Sequence, residues 1–260
     1  MHSRTRTLVA GLTAVVALAL PAAAGAADFP LVGWWPMNEG SGQVIRDWSG
    51  HGNNGTLGNS AGVDSQDPTW IPGVFSGSAL RFDGGDLVQI PDNPSLNAQQ
   101  LTVATWFRGT TSPGILRYLV AKGSQACDRA SYGLYSSSNG GMAFYIAGAA
   151  GATSNWFRSP EAPASVWDGK WHHAAGTFDG STVRLFIDGQ QIGNGTPANT
   201  AIAYNPPAGA GLIGDYHGTA NGVDCDVFLT GDVDGVQVWS RALPVADIWR
   251  VLKALFSTSR

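Results

Sequence analysis

The hydrophobic pattern is clearest over residues 171–189, WHHAAGTFDGSTVRLFIDG. Val183, Leu185 and Ile187 alternate there with Thr182, Arg184 and Phe186, and a period of two puts the first three on one face of a strand, toward the core. Asp179-Gly180 separates this strand from the run before it, and Asp188-Gly189 follows it. Asp-Gly tolerates the positive φ of tight hairpin turns, so the stretch reads as two strands and two turns. From Asp28 onward, Gly, Asn, Asp, Ser and Pro clusters interrupt the chain about every eight to twelve residues. The runs between them predict strands at 31–37, 79–82, 87–90, 101–108, 118–122, 131–135, 142–147, 172–178, 183–187, 211–214 and 233–239. Many short strands with regular turn signals predict an all-β sandwich or barrel.

One helix is predicted, at about 244–256. Pro244 suits a first helical position, and Val245, Ile248, Trp249, Leu252, Leu255 and Phe256 follow at three- and four-residue steps. Such a stripe lies against a sheet or the edge of a sandwich. The alternative, a helix on a membrane surface, lacks basic residues to support it.

The first 27 residues do not belong to this pattern. Arg4 and Arg6 precede an apolar run over 8–20, then Pro21 and small residues ending Ala26-Ala27. This is the form of a secretory signal peptide cleaved before Asp28. The apolar run is shorter than the roughly 20 residues that span a bilayer, and the arginines are not adjacent, so a twin-arginine signal is not supported. The expectation is a secreted chain with one domain over 28–260 and no membrane insertion after cleavage. Without residues 1–27, 13 basic residues face 19 acidic ones, a net charge of about −6. That argues against nucleic acid or an anionic membrane as partner, since both need a basic footprint. In an oxidising destination Cys127 and Cys225 are expected to pair with each other; free or intermolecular thiols are the alternative. A bridge closing a loop of about 100 residues contributes roughly 4–5 kcal/mol in the chain-entropy model.

Five segments in order carry a family resemblance: LVGWWPMNEGSGQVIRDWSGHGNNGTL, GSALRFDGGDLVQIPD, LTVATWFR, DGKWHHAAGTFDGSTVRLFIDGQQIG and GDVDGVQVWSRAL. Together they resemble LamG-like jelly-roll domains of the concanavalin A-like lectin/glucanase superfamily, from about residue 31 to 250. The resemblance implies two antiparallel sheets in a jelly-roll sandwich, closed by a short C-terminal helix. It does not imply an activity, because this fold hosts lectins, adhesion modules and hydrolases.

For metal, the loop Asp47-Trp48-Ser49-Gly50-His51-Gly52-Asn53-Asn54-Gly55 is rich in the oxygen ligands calcium takes. Asp232 and Asp234 share one side of a strand and repel unless a cation or a donor lies between them. The resemblance implies a structural calcium tying the N-terminal loop to the last strands. It places the ligands at Asp47, Asn54 and Asp234, with Asn53 and Asp83 beside them. The alternative is that these side chains cap turn backbones.

For catalysis, related glucanases use paired carboxylates, but the two glutamates, Glu39 and Glu161, lie in separate loops. Gly58-Asn59-Ser60-Ala61-Gly62 matches Gly-x-Ser-x-Gly within a loop, without the strand–helix context of a nucleophile elbow. His172 and His173 are adjacent on a strand and face opposite ways, so one is expected packed and the other exposed. Asn54-Gly55-Thr56 and Asn194-Gly195-Thr196 are glycosylation sequons on paper.

For binding, Trp34, Trp106, Trp171 and Trp239 sit in strand patterns and are expected in the core. Trp156, between Gly-rich and Pro-rich segments, is the tryptophan expected to be exposed. With Asp128, Tyr216 and His217 from the loops around the cysteines, it forms the expected ligand set. The reading is a secreted, non-catalytic module recognising an extracellular carbohydrate. A protein-binding or cell-envelope adhesion module is the alternative, and a glycoside hydrolase is third.

Overall fold

In a computed structural model the described residues are 30–257, apart from 75, 124–129, 153–155, 205–210, 217–218, 221–222 and 225–226. The strands up to the middle of the chain are β1 (Leu31–Trp35), β2 (Val44–Ile45), β3 (Gly55–Leu57), β4 (Thr69–Pro72), β5 (Ser78–Asp83), β6 (Val88–Ile90), β7 (Leu101–Arg108), β8 (Tyr118–Lys122), β9 (Tyr132–Tyr135) and β10 (Ala143–Ala147). They continue with β11 (Trp156–Arg158), β12 (His172–Phe178), β13 (Thr182–Ile187), β14 (Gln190–Gln191), β15 (Thr196–Pro197), β16 (Gly211–Ile213), β17 (Thr219–Ala220), β18 (Val223–Asp224) and β19 (Thr230–Trp239). One helix, α1 (Val245–Ser257), follows.

Two antiparallel sheets contain nearly all of these strands. Sheet A runs β14-β13-β12-β7-β19-β5-β4, with β1 added on β19 and β15 on β13. Sheet B runs β11-β10-β9-β8-β16-β6-β3-β2. Their facing sides bury Trp35, Phe82, Leu101, Val103, Phe107, Phe144, Ile146, Phe178, Val183, Leu185 and Val233 in one core. The alternation read in β13 holds: Val183, Leu185 and Ile187 belong to that core. At Gly176 the sheets approach so closely that an added Cβ would sit 2.1 Å from the Phe144 ring.

The outward side of sheet A is covered as well. Ala104, Ala175, Phe186 and Trp239 pack beneath Leu243 and Ile248, so α1 lies on the sheet's outer face. This second layer explains why LTVATWFR in β7 is buried at nearly every position and shows no alternation. Pro244 is one position earlier than expected: its carbonyl accepts from Asp247 N and Ile248 N, which makes it the residue before the first helical turn. Val245 and Trp249, placed in the apolar stripe by spacing, are partly exposed.

Both Asp-Gly turns are present, by different means. Asp188 and Gly189 both have positive φ, 50° and 77°. In the first turn only Gly180 does; Asp179 instead caps the loop, its Oδ1 accepting from Ser181 N and Thr182 N and its Oδ2 from Arg184. Two of the four tryptophans expected in the core, Trp106 and Trp239, are buried, but on the outer face of sheet A. Trp34 and Trp171 are only half-buried, and it is Trp35 and Trp167 that enter the inner core.

Candidate binding surface

The N-terminal loop is organised by Asp47. Its Oδ1 accepts from Trp34 N (3.0 Å) and Ser49 N (2.8 Å), and its Oδ2 from Ser49 Oγ (2.9 Å) and Asn53 N (2.9 Å). Burial works to raise the carboxyl, but these four donors outweigh it and hold Asp47 below the usual carboxylate range. Asn54 Oδ1 accepts from Asp47 N at 2.9 Å. Asn53 Nδ2 donates to Val32 O and Ser95 Oγ, while its buried Oδ1 has no hydrogen-bond partner among the described residues. Asp47 and Asn54 thus both accept from backbone N–H groups of this loop.

The other expected ligands lie apart from this loop. Asp234 Oδ2 accepts from Val74 N, and burial pushes its carboxyl up to about 7. Asp83 Oδ1 accepts from Gly85 N. Among the described residues no three His, Cys, Asp or Glu side chains form a group able to hold a metal, so Asp47, Asp83 and Asp234 do not meet at one centre. Asp232, paired with Asp234 in the sequence argument, is compensated by two arginines.

Beside the loop opens a groove of about 680 Å³ lined by Val44, Arg46, Asp47, Trp48 and Asn54. Trp48 is 59% exposed and is held from beneath: its backbone N–H donates to the Trp34 carbonyl at 2.7 Å, and its ring meets the Trp34 ring at 5.7 Å and 68°. An exposed aromatic face with polar groups around it is suited to an amphipathic ring such as a sugar. Sequence reasoning passed over Trp48 because the flanking Asp and Asn drew the loop toward metal. The usable signal was the one that selected Trp156: a tryptophan in a Gly- and Asn-rich stretch, outside any strand.

Trp156 lies on the edge strand β11, partly buried, its ring stacked on Tyr145 at 5.0 Å. Tyr216 requires a correction. It is 1% exposed and packs 5.1 Å from the Tyr118 ring in a tyrosine cluster on the outer side of sheet B, so the protein itself occupies the aromatic surface assigned to a ligand. Asp128, His217, Cys127 and Cys225 lie outside the described residues, and so does the segment 1–27.

The histidines divide as strand alternation requires. His173 is buried, and desolvation lowers its pKa to about 4. Burial would also lower His172, but hydrogen bonds to Asp188 (2.7 Å) and Asp168 (3.1 Å) outweigh it and raise its pKa. The glutamates are engaged separately: Glu39 Oε1 accepts from Arg46 N, and Glu161 Oε1 accepts from Ser138 Oγ. Ser60 Oγ donates to Gly62 O in a loop that leads to strand β4 rather than to a helix.

Two packed antiparallel sheets with one short helix define a jelly-roll sandwich, with a groove beside the loop that follows the edge strand β2. A family model described as the concanavalin A-like lectin/glucanases superfamily matches residues 82–249, and the chain belongs to that family. No curated protein matches the chain. Among solved structures it is similar to domain 4 of AbnA, a GH43 extracellular arabinanase from Geobacillus stearothermophilus in complex with arabinotriose. That match has 16% identity and a TM-score of 0.61, covering 86% of this chain and 98% of that one. It is also similar to the binding domain of Paraclostridial Mosquitocidal Protein 1 (15% identity, TM-score 0.57, 88% and 53% covered). A third similar structure is the binding domain of botulinum neurotoxin DC in complex with rat synaptotagmin II (10%, 0.60, 87% and 52%). The chain thus spans nearly all of the arabinanase domain and about half of each toxin chain. At these identities the likeness is one of fold.

Proposed function

We propose that this protein is a secreted, non-catalytic module that recognises an extracellular carbohydrate. The observation that carries the reading is Trp48: a large aromatic face left open to solvent, fixed on Trp34, over a groove with Arg46, Asp47 and Asn54 at its rim. Stacking on such a face, with a few polar groups to orient hydroxyls, is sufficient to bind a sugar and needs no acid–base pair. The similar arabinanase domain in complex with arabinotriose supports this direction. Hydrolysis is disfavoured, because Glu39 and Glu161 are tied into separate loops.

The test is calorimetric titration of the secreted chain with arabinotriose and a panel of neutral oligosaccharides, beside Trp48→Ala. Binding to at least one sugar that weakens about tenfold or more in Trp48→Ala supports the reading, since stacking of this kind is worth about 1–3 kcal/mol. No sugar signal at millimolar ligand sinks it and turns attention to a protein ligand. Of the calcium ligands implied by the resemblance, only those of the N-terminal loop lie together, and an ion there would rest on that loop alone, where Asn53 Oδ1 has no hydrogen-bond partner among the described residues. A melting temperature that falls in excess chelator is the expected result, by linkage; an unchanged melt removes the ion.

A further inference from the structure

We propose a second ligand site on the outer face of sheet A, built on Arg81, Asp232 and Arg108, that takes the carboxylate of an acidic sugar of the uronate class. Asp232 on β19 is directly opposite Arg81 on β5 and Arg108 on β7, so the three side chains form one rung across three strands. The Asp232 side chain is 6% exposed. Its Oδ1 accepts from Arg81 Nε (2.7 Å). Its Oδ2 accepts from Arg81 Nη2 (3.1 Å), Arg108 Nε (2.8 Å) and Arg108 Nη2 (2.6 Å).

One carboxylate is therefore shared by two guanidinium groups, and the rung itself carries a net charge of +1. The Nη1 groups of both arginines make no hydrogen bond among the described residues, and the side chains are 54% and 31% exposed. Arg108 is also placed 4.7 Å over the Trp171 ring, which fixes the plane of its guanidinium. Two planar forks held rigid by a buried carboxylate, with free edges toward solvent, match the geometry of a ligand carboxylate.

The neighbouring rung narrows the class of ligand. A groove of about 650 Å³ runs from the arginine rung to Asp83 and Thr230, which are opposite each other one rung along. Two residues of strand separate the rungs by about 7 Å. The Asp83 carboxylate repels a compact dianion such as phosphate or sulfate, but it accepts hydrogen bonds from hydroxyl groups. A uronate fits this polarity: its carboxylate lies on the arginines, and hydroxyls across the pyranose ring reach Asp83 and Thr230.

The site is separate from the Trp48 groove and does not depend on neutral-sugar binding there. The test titrates the full chain at low salt with oligomers of galacturonate, glucuronate and mannuronate, and with their methyl esters. At least one uronate is expected to bind, to lose affinity about tenfold on esterification and again in Arg81→Gln, and to weaken at high salt. Trp48→Ala is expected to leave uronate affinity unchanged. In the wild-type protein, the uronate is expected to shift the Nε–H resonances of Arg81 and Arg108, which reads the site even if Arg81→Gln does not fold. Absence of uronate binding, equal affinity for acid and ester, unmoved arginine resonances, or loss of uronate binding in Trp48→Ala with Arg81→Gln intact each overturns the proposal.

Discussion

Acid should destabilise this fold through His173, and replacing that residue with phenylalanine should remove the effect. His173 lies on the outer side of β12, opposite Trp106 on β7, 2% exposed, its Nδ1 without a hydrogen-bond partner among the described residues and its ring edge-on to Trp106 at 5.3 Å. Burial lowers its pKa from 6.5 to about 4, against a small opposing pull from Asp188. The unfolded chain therefore takes up a proton before the folded one does. The associated stability is fully present above pH 6.5 and is lost as pH falls through the folded pKa. For these two values the loss is about 2 kcal/mol at pH 5 and about 3 kcal/mol once pH is well below 4. Phenylalanine keeps a ring against Trp106 and cannot titrate. Urea unfolding of wild type and His173→Phe at pH 7.5 and pH 5 gives the change in stability for each protein. His172 and every carboxylate are common to both proteins, so they cancel in the comparison. The wild type is expected to lose about 2 kcal/mol more than His173→Phe over that interval. Equal losses, or an NMR titration of His173 near 6.5, would refute the reasoning.

The neighbouring histidine carries the opposite sign. His172 bridges Asp168 and Asp188, and its pKa is raised, so its contribution is fully present below pH 6.5 and is lost as pH rises through the folded value. His172→Gln is expected to cost stability at pH 6 and much less at pH 9, read from the same unfolding curves. At the sheet interface, Gly176→Ala is expected to destabilise by about 1–3 kcal/mol at any pH, because its Cβ must displace the buried Phe144 ring. Thermal melts that match wild type would show that the two sheets can separate at this point without cost.

Much of the fold was legible from local pattern. The strands over 101–108, 118–122 and 172–178 lie where apolar runs and turn signals place them. Two-residue periodicity and Asp-Gly chemistry are properties of adjacent residues, so no distant contact is needed to read them. Short edge strands such as Val44–Ile45, Thr69–Pro72 and Trp156–Arg158 were not legible. They carry too few residues to show a period, and it is their partners that pull them into line.

The candidate sites divide in the same way. That Asp47 belongs to a tight, Asn- and Gly-rich loop follows from its neighbours. That its carboxylate accepts from the backbone N–H groups of Trp34 and Asn53 follows only from those residues folding over it. Tyr216 and Trp48 changed places for a similar reason. A tyrosine in a polar loop was buried by Tyr118 across the sheet, while a tryptophan among presumed metal ligands was left open. Arg81, Arg108 and Asp232 are far apart in sequence, 27 and 124 positions between successive members, and only strand register makes them one rung. Sequence by itself determined the longer strands, the Asp-Gly turns and the family. Which side chains meet, and which remain free for a ligand, was decided by the pairing of strands distant along the chain, because burial and charge compensation are properties of neighbours in space.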